Sequence, residues 1–275
     1  MDLGLKGKTV IVTGGSGGIG RGLVQEFAAE GCRVAIATRD AVKGQEVADS
    51  CAELAGEAHL IKTDITDEGA VKALLGETLE RFGPVEVLVN NAGGTNAPTP
   101  FLEKTRADCE WETDLNVWGV FNTHRVIGAH MVERGRGSIV NVTSNSALLG
   151  EAAAYVAHYG GTKGYQMSLS KALAFEWGHT GVRVNCISPG WIVPHDPSHT
   201  GEGSFWNKFG YEVFGKPDEM EKQAASGELF NIGSQPIPRV GRPEDIANVA
   251  VFLASDRASY VTGQLISVGG GSYMP

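Results

Sequence analysis

The stretch 9-TVIVTGGSGGIGRGLVQEFAAEG-31 decides the fold. Its first five residues are all β-branched, as a buried strand prefers, and its last eleven carry Leu23, Val24, Phe27 and Ala28 at the spacing of one helical face. Between them, 13-TGGSGGIG-20 puts Gly14, Gly18 and Gly20 where strand gives way to helix. Glycine meets two demands there. The chain has to turn tightly, and its amides have to approach a diphosphate with no side chain in the way while the helix directs its positive end at the anion. The spacing is GxxxGxG, which departs from the GxGxxG fingerprint and from a P-loop ending in GK[ST]. Gly14, Ser16, Gly18, Ile19 and Gly20 are the candidate binding residues of this turn.

Outward from that turn the same alternation repeats. Strand-like RVAIAT (33–38), AHLIKTD (58–64) and VEVLVNNAG (85–93) are separated by helix-like segments at 41–56 and 68–83. A long helical region from about Thr105 to Arg134 leads into GSIVNVTS (137–144), and a further helix runs from the 155–163 segment to about Gly178. Strand VRVNCISPG (182–190), helix PEDIANVAVFLAS (243–255) and strand QLISVGG (264–270) complete the pattern. Alternating β and α segments of this kind specify βαβ units and a parallel sheet covered on both faces. The expectation is a single α/β domain over 1–275, with a doubly wound, Rossmann-like sheet of seven parallel strands. Residues 191–235 break the rhythm with Pro, Gly, His and aromatics, and read as a substrate-loop insertion.

A formal net charge of −9 disfavours a grip on nucleic acid or an anionic membrane and favours a small-molecule partner. The amino terminus holds an apolar run of three or four residues before glycines intervene, too short for a signal-peptide core or membrane span, so a cytoplasmic protein is expected. Cys32, Cys51, Cys109 and Cys186 form no CxxC pair and read as reduced, mostly buried thiols. His195 and His199 have a superficially metal-like spacing, but Pro197 between them argues against a helix, and no metal site is expected.

The segment 155-YVAHYGGTK-163 offers two phenols to one cation, and on a helix all three side chains would share a face. An ammonium close to a phenol favours the phenolate and lowers its pKa from about 10. One turn separates Tyr159 from Lys163, with β-carbons about 5–6 Å apart. Tyr155 is a rise of about 12 Å from the lysine. Geometry therefore selects Tyr159 as a candidate acid/base.

Taken together, GxxxGxG, 90-NNAG-93, the serine ending 138-SIVNVTS-144, YxxxK at 159–163 and Pro189-Gly190 resemble the classical short-chain dehydrogenase/reductase family in order and spacing over essentially the whole chain. The resemblance implies a nicotinamide cofactor and hydride transfer between it and a carbonyl or alcohol. It makes Tyr159 the acid/base and gives Lys163 the nicotinamide ribose as well as the phenol. Ser144 becomes the donor to the substrate oxygen, with Ser146 its rival. Asn116 in 114-DLNVWG-119 becomes the residue that kinks its helix through its main-chain carbonyl and holds a water linking Lys163 to solvent. The resemblance also places Asp64, Ile65, Asn90, Ala92, Gly93, Pro189, Gly190 and Ile192 along the cofactor, and Tyr155 and Trp191 beside the substrate. Alternatively 90-NNAG-93 supports the sheet, its asparagine side chains bonding main-chain groups at the strand end. A homotetramer formed through the long helices is also implied, with Trp111 and Trp118 there.

The family's acidic ribose-binding position falls on neutral Thr38, and Arg39 follows it; a guanidinium pairs with a phosphate, so NADP is favoured, with NAD kept open through Asp40. Two departures stand out: Pro194 replaces a threonine expected to anchor the nicotinamide, and Gly269 replaces an aspartate. Aromatics at 205–214 either line an apolar cleft or pack the insertion down. Two other classes remain: a nucleotide-binding redox sensor or scaffold without turnover, against which the Ser/Tyr/Lys set argues, and a lyase or epimerase, against which the lack of a large carboxy-terminal substrate domain argues.

Overall fold

A computed structural model of the chain describes residues 2–96, 98–201, 204–228 and 235–274. Strands β1 (Thr9–Thr13), β2 (Arg33–Thr38), β3 (Glu57–Lys62), β4 (Val85–Asn90), β5 (Gly137–Val142), β6 (Val182–Pro189) and β7 (Leu265–Val268) form one parallel sheet in the order β3-β2-β1-β4-β5-β6-β7. The order reverses between β1 and β4, so a crevice opens beyond their carboxyl ends, where the glycine turn and the NNAG segment lie side by side.

Strand alternation distributes the core over both faces. Val10, Val12, Val34 and Ile36 face a layer with Leu23 and Phe27 of α1 (Gly18–Ala29), Val47 of α2 (Ala41–Asp49) and a later helix that supplies Ile246 and Ala250. Ile11, Ala35 and Ala37 face the other layer, with Val71 and Leu74 of α3 (Glu68–Phe82) and Ile127 and Met131 of the long helix. Helix α2 is shorter than the expected 41–56 and ends at Asp49, because the chain must double back through 51–56 to begin β3.

The long helix is a stack of α4 (Arg106–Thr113), α5 (Gly119–Thr123) and α6 (Ala129–Arg134), joined by π-turns at Asp114–Trp118 and His124–Gly128. The tyrosine–lysine helix α7 spans Ala157–Trp177. The insertion contains α8 (Tyr211–Phe214) and α9 (Pro217–Ser226), and α10 (Pro243–Ala254) follows it. Of the insertion, 202–203 and 229–234 lie outside the described residues.

The glycines of the first turn are not equivalent. A Cβ at Gly20 would overlap the Gly14 carbonyl and stand 2.7 Å from Asn91 Nδ2, whereas Gly18 has φ +53° and open space around it. Gly20→Ala is therefore expected to destabilise the fold by about 2 to 3 kcal/mol through overpacking, and Gly18→Ala by about 1 kcal/mol through backbone strain alone. Denaturant titration of the two variants checks the order.

Candidate active site

At the glycine turn, Gly17 caps α1 with no side-chain hydrogen bond, and no acidic residue occupies the first turn. The positive helix end is thus free of carboxylate competition. Asn91 Nδ2 donates to the carbonyls of Thr13 and Gly14, 3.0 Å each, and fixes the turn against β4. A Cβ on Gly14 would stand 2.8 Å from Ala92 Cα. Asn90 donates to Asn141 Oδ1 of β5 at 2.8 Å, so its side chain braces the sheet. Asn91 thus bonds main-chain groups at the strand end, as the asparagines of 90-NNAG-93 can.

Beside this turn, Thr38 Oγ1 donates to Ser16 Oγ at 2.9 Å. Asp40 accepts from Lys43 N at 3.0 Å and caps α2. Arg39 lies on the surface 3.8 Å from Asp64 Oδ2, and Ile65 is buried under Gly119. The start of the insertion folds back over the turn: Lys43 Nζ donates to the Ser198 carbonyl at 3.0 Å, and a Cβ on Gly17 would meet Gly201 N at 2.5 Å.

The reacting groups gather where β5, α7 and the first π-turn meet. Ser144 follows β5, its Oγ accepting from Ser146 N at 3.1 Å and its hydroxyl favouring ionisation of the nearby Tyr159 phenol. Ser146 directs its own hydroxyl to the Ala152 carbonyl at 2.8 Å, so of the two rivals Ser144 meets the phenol. Lys163 is 3% exposed; its Nζ lies 5.9 Å from the Tyr159 ring centre and donates to Val142 O at 2.9 Å and Gln166 Oε1 at 3.3 Å. Asn116, fully buried, donates through Nδ2 to Gly94 O at 2.8 Å and accepts from Gly94 N at 3.0 Å. Gly93 is pressed so closely between them that a Cβ would stand 2.8 Å from both Asn116 Oδ1 and Lys163 Nζ.

Protein packed around the Tyr159 hydroxyl pushes the phenol up to about 12; the Ser144 hydrogen bond opposes this and the Glu112 carboxylate adds to it. Burial lowers Lys163 to about 8, with Cys186 opposing.

Glu112 and Gln166 escaped the sequence reading. Glu112 stands one turn before Asn116, and its Oε1 accepts from Thr95 Oγ1, Asn96 N and Lys104 Nζ at 2.9, 3.0 and 3.3 Å, while Oε2 has no partner. Gln166 Nε2 donates to the Asn116 carbonyl at 2.7 Å.

Tyr155 departs from the expected shared face. Helix α7 begins only at Ala157, and Tyr155 precedes it at φ +65°, 61% exposed. Trp191 packs against Phe214 and Trp206, with ring centres 4.7 and 5.7 Å away, and Trp206 Nε1 donates to the Ile192 carbonyl at 2.6 Å. With Val193, Met220 and Val240 these rings form a small core, so much of the insertion's aromatic surface holds it together. Lys208 reaches from the insertion to within 5.1 Å of the Trp111 ring centre on α4. His195 pairs with Glu244 at 3.1 Å. Pro194 is buried, its carbonyl accepting from Arg242 at 3.4 Å. Gly269 has no room for an aspartate: a Cβ would stand 2.6 Å from Ser272 Oγ and 3.3 Å from Gly190 Cα.

A model described as short chain dehydrogenase matches residues 8–196, and one described as enoyl-(acyl carrier protein) reductase matches 218–273. The chain belongs to the short-chain dehydrogenase/reductase family. L-fucose dehydrogenase of Bos taurus is 35% identical over 269 residues, covering 97% of this chain and 89% of that one. A 3-oxoacyl-[acyl-carrier-protein] reductase of Chlamydia pneumoniae is 34% identical, with coverage of 98% and 99%. A solved 7α-hydroxysteroid dehydrogenase, complexed with NADH and 7-oxo glycochenodeoxycholic acid, superposes with a TM-score of 0.82 at 32% identity, covering 98% of this chain and 96% of that chain.

As a family member the chain is an oxidoreductase of alcohol and carbonyl groups. The crevice fits the family's nicotinamide dinucleotide: Gly14 and Gly20 leave no space for a Cβ, α1 opens uncapped, and bare Gly93 lies against Lys163. Among the described residues no helix is long and apolar enough to cross a membrane.

Proposed function

We propose that the chain is an NADP-preferring dehydrogenase that interconverts a secondary alcohol and a ketone, with Tyr159 as general acid/base. What carries this reading is the Ser144 hydroxyl acting on the Tyr159 phenol with Lys163 one helical turn away, beside the phosphate-binding turn. Gly14, Ser16, Gly18, Ile19 and Gly20 would hold the pyrophosphate; Asp64, Ile65, Ala92 and Gly93 the adenosine side; and Lys163, Pro189, Gly190 and Ile192 the nicotinamide side. When bound, the nicotinamide supplies or takes up the hydride.

In reduction, Tyr159 gives its proton to the carbonyl oxygen as negative charge develops there, and the Ser144 hydroxyl donates to the same oxygen. A phenol held near 12 stays protonated and ready to donate at neutral pH. In oxidation the phenol must first lose its proton, and the Lys163 ammonium is the charge that favours this. Asn116 anchors the Gly93–Gly94 backbone against Lys163.

Two observations support NADP. Asp40, the acid that would turn toward a ribose, caps α2, and Thr38 is tied to Ser16, while Arg39 stands exposed at this edge beside Asp64. Removing Arg39 with Arg39→Ala is expected to weaken NADP about tenfold and NAD little, since a charge-assisted hydrogen bond contributes roughly 1.5–3 kcal/mol. Dissociation constants for both dinucleotides check this.

The relatives act on a sugar, an acyl thioester and a steroid by name, so the substrate is proposed only as a class. A panel of secondary alcohols and ketones with both dinucleotides, followed by absorbance of the reduced nicotinamide, tests the reading; tight dinucleotide binding without turnover of any member would favour a sensor. We also propose a cytoplasmic homotetramer joined through the long helices, where Trp118 is half exposed. Sedimentation gives the oligomeric state.

A further inference from the structure

Gln166 lies on α7 three residues beyond Lys163 and is 1% exposed. Its carboxamide is used at both ends: Oε1 accepts from Lys163 Nζ at 3.3 Å, and Nε2 donates to the Asn116 main-chain carbonyl at 2.7 Å. That carbonyl belongs to the π-turn Asp114–Trp118, where the regular helical ladder is interrupted and a side-chain donor has access. Of the three Lys163 N–H donors, Val142 O takes one and Gln166 another.

We infer that Gln166 is a positioning residue that holds the Lys163 ammonium in place and ties it to the π-turn of the neighbouring helix. The contact is a matter of geometry; its kinetic consequence rests on the proposed function and deepens it. A carboxamide of this length presents an acceptor to the cation and a donor to the carbonyl at once. Glutamate would present acceptors to both, and leucine would present neither.

The acceptor matters because Lys163 holds its proton against desolvation. Around it stand Tyr159 on the same helix and Cys186 on β6, whose thiol burial pushes up to about 11. β5 contributes the Val142 carbonyl and the π-turn contributes Asn116, neither of which titrates; Glu112 on α4 acts on Tyr159. Lys163 titrates near 8, so a hydrogen bond made to its charged form extends the pH range over which the ammonium persists. Loss of that bond lowers the midpoint, and a carboxylate in its place raises it.

The test is a titration of isotope-labelled lysine in the full chain, with and without NADP, the Lys163 signal being assigned by its loss in Lys163→Met. Relative to wild type, the midpoint is expected about one unit lower in Gln166→Leu and about one unit higher in Gln166→Glu. The alkaline limb of alcohol oxidation, which needs the ammonium to favour the phenolate, should move in the same two directions, with kcat changing more than KM. A purely structural role would lower thermal stability in both variants without opposite shifts. Midpoints that stay at the wild-type value, or move the same way in both, overturn the inference. Should either variant fail to fold, the other decides by the sign of its shift. In wild type the Gln166 side-chain amide signal must follow the Lys163 titration; a signal indifferent to it is equally contrary. If wild-type protein turns over no alcohol or ketone, the proposed function fails, while the titration still judges the contact.

Discussion

Tyr159→Phe lowers kcat by about a thousandfold and leaves dinucleotide affinity within about twofold, as expected for removal of a general acid/base whose transfer contributes 10² to 10⁴. The substitution deletes one oxygen and keeps the ring, so the packing around Gly160 and Lys163 survives. The hydroxyl it removes is the one whose ionisation Ser144 favours. Ser144→Ala should cost less, because the phenol still supplies the proton and only a donor to the developing oxyanion is lost. Steady-state kinetics with the best substrate of the panel, together with dinucleotide titration, separate a loss of chemistry from a loss of binding. A Phe variant that retains wild-type kcat would remove Tyr159 from the mechanism.

Lys104→Met destabilises the protein by about 3 to 5 kcal/mol, the usual cost of stranding one member of a buried ion pair. The side chains of Lys104 and Glu112 are 2% and 0% exposed, at 3.3 Å separation. Glu112 has one oxygen without a partner even in the wild type, so the loss of its cation leaves the carboxylate with two neutral donors, Thr95 and Asn96. The double variant Lys104→Met/Glu112→Gln should recover most of the loss, because no charge is then left buried. Chemical denaturation of the single and double variants measures the difference. Glu112→Gln also removes a charge that raises the Tyr159 phenol, so the ionisation of that phenol should move to lower pH.

The parts of the fold legible in the sequence are those with local causes. β-branched runs marked the seven strands, and glycines whose Cβ atoms would collide with backbone marked the first turn. The parts that were not legible depend on tertiary neighbours. Nothing local marks the start of α7, since Val156 at its N-cap makes no side-chain bond, and Tyr155 was consequently placed on a helix it precedes. Ser144 and Ser146 are chemically alike, and only their partners, Tyr159 and the Ala152 carbonyl, separate them. The π-turn that exposes the Asn116 carbonyl leaves no trace in residue spacing, which is why Gln166 passed as an ordinary helix residue. Glu112 likewise reads as a solvated charge until Lys104, 8 residues away, folds onto it. Helical spacing likewise supplies the distance from Tyr159 to Lys163 but not the burial that raises the phenol.

The account depends on the Lys163 charge governing how readily the Tyr159 phenol gives up its proton in the working complex. The direct measurement is the pH dependence of alcohol oxidation, with the oxidised dinucleotide saturating, in wild type and in Lys163→Met. The account predicts a wild-type ionisation that is displaced upward by at least about one unit when the ammonium is removed. Identical ionisations in the two proteins would contradict it.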